Sequence, residues 1–187
     1  MLKESVDVSD EDLWASFRAG SEPAFATLYS RYFHYLFSYG RRVSNNENEI
    51  VNDVIQDLFL DLWRTRNELG QAETVRFYLL RSLRRKIHRR MKTTFSFGER
   101  LDDLAEDMLP VESSVEFNIT KEEDLLIQSE KLAVWLNQLP SRQNEALVLH
   151  YFHSMSYRQI AAIMEIKEQT ARNLVQKALS LIRRAAM

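Results

Sequence analysis

The 187-residue sequence contains no cysteine, only four glycines and only three prolines. Without cysteine there is no disulfide framework, thiolate zinc site, iron–sulfur cluster or cysteine nucleophile, and a reducing, cytoplasmic setting is the natural expectation. Glycine and proline together reach about a third of their usual combined share of roughly 12%. The tight turns of a sandwich or barrel therefore lack their residues, and helices remain. No uninterrupted apolar run approaches the roughly 18 to 20 residues that span a bilayer. Met1-Leu2-Lys3-Glu4-Ser5 leads into acidic residues, so a soluble chain with no export signal and no membrane insertion is expected. A phosphate-binding glycine loop and a Gly-x-Ser-x-Gly turn are also missing, which removes two large enzyme classes. The length admits one ordinary domain or two small ones.

What is present is charge, unevenly placed. The formal net charge is −2, yet residues 1–30 carry −4, 31–70 carry −1, 71–92 carry +7, 93–130 carry −9 and 131–187 carry +5. Two basic blocks flank one acidic block, a division that suits a nucleic-acid partner better than the total suggests. The acidic stretch holds Pro110, Ser113 and Ser114 with little apolar periodicity, the composition of a linker. The reading is an all-α chain of two small helical domains, residues 1–92 and 125–187, joined by an acidic linker over 93–124. One further expectation is that this linker folds back over the two basic faces.

Ser9 before Asp10-Glu11-Asp12, and Ser21 before Glu22-Pro23, predict helix starts near 10 and 22. Phe25, Leu28, Tyr29, Tyr32, Phe33, Leu36 and Phe37 then recur at helical spacing as a broad stripe expected to pack in the core. From Glu49 to Arg66, Val51, Val54, Ile55, Leu58, Phe59 and Leu62 share one face. Leu60 falls opposite, among Asp53, Gln56, Asp57 and Arg64. An apolar centre ringed by charge has the form of a helix-sized protein contact. From Arg76 to Lys92, Leu79, Leu80, Leu83, Ile87 and Met91 point inward, while Arg81, Arg84, Arg85, His88, Arg89 and Lys92 make an outer face suited to phosphates. Phe77 and Tyr78 open this helix beside the loop 70–75; they can stack on unpaired bases or sit in the core.

In the second half, Arg142 to Phe152 reads as a helix with Ala146, Leu147, Val148 and Leu149 apolar. Ser156-Tyr157-Arg158-Gln159 has the form of a capping box, and Glu165-Ile166 a turn before a long helix. That helix turns Ala171, Leu174, Val175, Ala178, Leu179 and Ile182 inward and leaves Gln169, Arg172, Asn173, Gln176, Lys177 and Ser180 outside. Arginine matches guanine O6 and N7, and glutamine or asparagine matches adenine, in a groove that admits a helix.

At this point the chain resembles the extracytoplasmic-function sigma factors of bacterial RNA polymerase. "GSEPAFATLYSRYF", "DVIQDLFLDLW", "LPSRQNEALVLHYFHSMSYRQIAAIM" and "QTARNLVQKALSLIRR" carry the likeness in this order, and the last segment is similar to members found in Bacteroidetes. The resemblance implies a sigma region 2 in residues 1–92, a sigma region 4 helix-turn-helix in 125–187, and a factor that binds core polymerase and directs it to promoter DNA without catalysing a reaction. Asp53, Gln56, Asp57, Leu60 and Arg64 would dock on core polymerase. Phe77, Tyr78, Arg81, Arg84, Arg85, His88 and Arg89 would take the minus-ten element. Arg158, Lys167, Gln169, Arg172, Asn173, Gln176 and Lys177 would take the minus-thirty-five element. An anti-sigma factor is the further partner implied. Three positions depart from the family pattern: Arg85 where asparagine is common, Glu165 at a turn position usually glycine, and Lys167 where serine or threonine often caps the next helix.

Two other readings compete. His150 and His153 are the pair closest to a metal site, but no acidic residue or third histidine shares their face, and Tyr151 and Phe152 between them fit a core helix. No metal, cofactor or catalytic residue is expected. A helix-turn-helix transcription regulator acting without core polymerase is the stronger alternative, and it predicts a dimer on a palindromic site.

Overall fold

The computed structural model describes residues 8–44, 47–72, 74–95, 134–136 and 138–185, and every regular element among them is a helix. The chain divides into two units, Met1–Phe95 and Ser96–Met187. The acidic segment read as a linker, and its expected fold-back, lie outside the described residues from residue 96 onward.

The first unit holds α1 (Asp10–Arg18), α2 (Glu22–Val43), α3 (Asn48–Thr65) and α4 (Val75–Phe95). Both expected caps form: Ser9 Oγ accepts the Asp12 N–H at 3.1 Å and Ser21 Oγ accepts the Ala24 N–H at 3.3 Å, each satisfying a donor the helix itself leaves unpaired. Gly20 ends the first turn at φ 93°, a conformation open to glycine at little cost. Asp10 then ties the start of α1 to α2, accepting from Arg31 Nη1 at 2.7 Å and from the Tyr32 hydroxyl. Burial, and next that bond to a carboxylate, push the Tyr32 phenol pKa up.

Helix α2 is the hub, packing on α1, α3 and α4. Its closest approach is at Gly40, where a Cβ would stand 2.6 Å from Val51 Cγ1 and 3.4 Å from Ile87 Cδ1. The aromatic stripe of α2 divides. Leu28, Tyr32 and Leu36 are buried, whereas Phe25, Tyr29, Phe33 and Phe37 are half-buried, because the stripe is wider than its neighbours cover. Rings continue from α1 to α3 through Trp14, Phe17, Phe25 and Trp63, with centroids 5.2 to 6.0 Å apart. On α3 all six residues expected inside are buried.

The second unit holds α5 (Ser141–Tyr151), α6 (Tyr157–Met164) and α7 (Glu168–Ala185), each packed on the other two. Its core is aliphatic: Leu149, Ile160, Ile163, Ala171, Val175 and Ala178 are all but inaccessible. The capping box at the start of α6 is complete, with the Gln159 N–H donating to Ser156 Oγ and the Ser156 N–H to Gln159 Oε1. Two non-glycine residues with left-handed backbone bracket α6: Ser154 at φ 53° and Glu165 at φ 57°. Glu165 thus adopts the geometry glycine would supply, at about 1 kcal/mol or somewhat more. One expectation is overturned. Tyr151 and Phe152 are 57% and 53% exposed, because α5 ends at Tyr151 and the chain folds back over the helix end, the His153 N–H donating to the Val148 carbonyl at 3.1 Å, which buries His153 in their place.

Candidate functional site

Three surfaces carry the residues singled out by sequence, two on the first unit and one on the second. On α3, Leu60 is 50% exposed, and Asp53, Gln56, Asp57 and Arg64 are exposed with it. Their offsets of seven, four, three and four residues from Leu60 put them on its face of the helix. The six buried residues behind them fix the orientation of that face. Asp61, also exposed, accepts from Lys86 Nζ at 2.5 Å and joins the acidic edge of α3 to α4.

On α4 the outer face is less uniform than helical angle suggests. Arg85, Arg89 and Lys92 are exposed, but Arg81, Arg84 and His88 are half-buried. A long basic side chain can lay its stem along the protein surface and keep its head in water. Arg81 goes further, with Nε enclosed and unpaired. Phe77 and Tyr78 are half-buried too, and Tyr78 is committed to packing, its ring 5.4 Å from that of Trp14. Trp14 Nε1–H in turn donates to the Gly70 carbonyl at 3.2 Å, pinning the loop that precedes α4. The Arg76 guanidinium sits 5.0 Å above the Tyr35 ring. Burial pushes the Tyr35 phenol up to about 12, and the Arg76 charge opposes the shift.

On the second unit, Arg158, Lys167, Gln169, Arg172, Asn173, Gln176 and Lys177 are all exposed. Ala171, Val175 and Ala178 are buried on the opposite side of α7, while Leu174, Leu179 and Ile182 are half-buried. Gln169 Nε2 donates to Asn173 Oδ1 at 3.0 Å, so two base-matching amides already share a hydrogen bond. Arg172 lies 3.5 Å from Glu168 one turn back and 5.0 Å above the Tyr157 ring.

A helix bearing an isolated exposed leucine, a cationic helix beside it and a helix-turn-helix in a second unit coincide with two matched domains. Residues 28–94 match the model of sigma-70 region 2, and residues 129–182 match that of sigma-70 region 4. The chain is a sigma factor of the sigma-70 family. Two of the solved structures similar to it illustrate the likeness. One is CnrH in complex with the cytosolic domain of CnrY, at 20% identity over 94% of this chain and 95% of that one, with a TM-score of 0.60. The other is the sigma factor RpoE in complex with the anti-sigma factor NepR from Bartonella quintana, at 18% identity over 87% and 96%, with a TM-score of 0.63. At these identities the likeness is one of fold. No curated protein matches the chain.

In this sigma factor the region 2 match spans α3 and α4 and most of α2, and the region 4 match spans α5 to α7 up to Ile182. Sequence reasoning left out Arg76, Arg90 and Tyr157. Arg90 is an exposed cation one residue beyond Arg89, readable from the same basic run. The ring contacts of Arg76 and Tyr157 reach other helices, and spacing along one helix carries no signal for them.

Proposed function

We propose that this sigma factor is of the extracytoplasmic-function type, with region 2 in residues 1–92, an acidic linker over 93–124 and region 4 in 125–187. Its work is binding, not catalysis, and its place is the cytoplasm. No helix among the described residues is long and apolar enough to cross a membrane. The exposed face of α3, with Asp53, Gln56, Asp57, Leu60 and Arg64, docks on core RNA polymerase. On α4, Arg81, Arg84, Arg85, His88 and Arg89, with Phe77 and Tyr78 at its start, take the minus-ten element. The surface of Arg158, Lys167, Gln169, Arg172, Asn173, Gln176 and Lys177 takes the minus-thirty-five element. The likeness in fold to a sigma factor held by the anti-sigma factor NepR supports an inhibitory protein as a further partner. The last segment supports kinship with Bacteroidetes members.

The observation that carries this reading is Leu60. A leucine half in water, opposite the six apolar residues that the same helix buries, gains little within the unit from its exposed half, whereas in a protein contact the desolvation of that half is favourable. Leu60→Glu, at an exposed position, leaves the fold intact. It is expected to weaken core polymerase binding by about 2 kcal/mol or more, roughly thirty-fold. Unchanged affinity in a titration of fluorescently labelled chain with core enzyme would falsify the assignment of this face.

A further inference from the structure

We propose that Tyr157 is a positioning residue of the helix-turn-helix: stacked on His150, it offers the ring face that holds the Arg172 guanidinium in place for one base edge. The proposal rests on the reading of α7 as the helix that enters the minus-thirty-five element.

Arg172 is exposed, and a long exposed side chain ordinarily samples many rotamers, a freedom it loses when it binds a base. Here it has two contacts of different kinds. Glu168, four residues back, lies 3.5 Å away at the limit of an ion pair, with both side chains about half exposed. That pair is weak, and it turns with α7, so it relates the guanidinium to nothing outside its own helix. Tyr157 is the first residue of α6, and its ring lies 5.0 Å from the guanidinium carbon. A cation over a ring face is attracted electrostatically without giving up N–H donors. The donors not engaged by Glu168 therefore stay available for guanine O6 and N7, which arginine meets as a rigid fork.

The ring that supplies this face is itself held. Ser156, just before it, caps α6 through a complete capping box. The His150 ring lies nearly parallel to it, 18° between planes and 4.7 Å between centroids. His150 Nδ1 is 2.9 Å from the Met155 carbonyl; a carbonyl only accepts, so Nδ1 carries the hydrogen and the ring is fixed by the turn. The sequence of contacts runs from the α5–α6 turn through His150 and Tyr157 to Arg172. It links α5, α6 and α7.

The test uses the full chain with core polymerase and a promoter library randomised in the minus-thirty-five element, sequencing the bound pool. Arg172→Ala is expected to lower preference at one base pair roughly ten-fold. Tyr157→Leu is expected to lower preference at that same pair three- to ten-fold, by the loss of preorganisation, with the rest of the motif unchanged. Tyr157→Phe, which keeps the ring and loses the hydroxyl, restores it. The double variant Tyr157→Leu with Arg172→Ala discriminates no worse than Arg172→Ala alone. Should Tyr157→Leu melt at lower temperature than the wild type, Tyr157→Met, longer, unbranched and without a ring face, decides in its place. Full discrimination by the ringless variants, a loss spread evenly over all positions, or failure of phenylalanine to rescue would each overturn the proposal. If Arg172→Ala changes no position, Arg172 reads no base and the proposal falls, while promoter enrichment over core enzyme alone still upholds the sigma reading. Absence of that enrichment is the failure of the functional reading itself.

Discussion

The two units reach a stable helical fold by different means. The first surrounds α2 with the long helices α3 and α4 and the shorter α1, and fills the space with large rings, Trp14, Phe17 and Tyr39 among them. The second packs α5, α6 and α7, one of them of only eight residues, over aliphatic side chains, and leaves Tyr151 and Phe152 in water. In the first, residues proposed to bind are added to faces whose orientation a large core already determines. In the second, the aim of α7 depends on one turn and on a helix too short to be stable alone, so a cap or a left-handed residue matters to recognition as well as to stability. Surface substitutions should therefore separate function from folding in the first unit, whereas turn substitutions in the second should move both.

The largest effect expected is at Gly40. A Cβ added there must displace the buried Val51, so Gly40→Ala should destabilise the first unit by about 1 to 3 kcal/mol, despite alanine's better helix propensity. Combining it with Val51→Ala should recover part of the loss, a coupling that a double-mutant cycle detects. Hydrogen exchange resolved by residue should show the loss in residues 8–95 and none in 138–185. Loss in both units would erase the distinction between them.

Next come the ends of α6. Ser156→Ala removes one arm of the capping box and should cost about 1 kcal/mol. Glu165→Gly relieves the left-handed strain at φ 57° and should raise stability by up to about 1 kcal/mol. Chemical denaturation followed by hydrogen exchange over residues 141–185 checks both signs. If neither changes promoter affinity while both change stability, the claimed linkage of turn geometry to recognition fails.

The smallest effect at neutral pH is that of Tyr35 in the first unit, which shows itself only in alkaline solution. The folded Tyr35 keeps its proton up to about pH 12, against 10.0 for the ordinary phenol. Between those values the unfolded chain binds fewer protons than the folded one, so stability is complete below pH 10 and falls as pH rises toward 12. Tyr35→Phe should leave stability at neutral pH nearly unchanged and make the alkaline decline shallower in urea titrations. An unchanged decline would assign it to other groups.

Much of this was legible from periodicity and local chemistry. Ser9, Ser21 and Ser156 announce helix starts, because a side-chain oxygen three residues ahead of an unpaired N–H is a local arrangement. The exposure of Leu60 follows from 100° per residue alone. The failures share one origin. Arg81, Arg84 and His88 have the right angular position for an outer face yet are half covered, and Tyr151 and Phe152 continue an apolar pattern that the chain abandons by turning.

The sequence by itself determined that the chain is helical, where most helices begin, which side of α3 is core, and that its basic residues gather in two separate blocks. Only the tertiary structure decided that Tyr78 belongs to Trp14, that Arg76 lies over Tyr35, and that Arg172 is referred through Tyr157 to His150. The physical reason is one of range. Helical period and capping are set within a few residues, whereas the partner of a ring or a guanidinium depends on how two helices, distant along the chain, pass each other at side-chain distance.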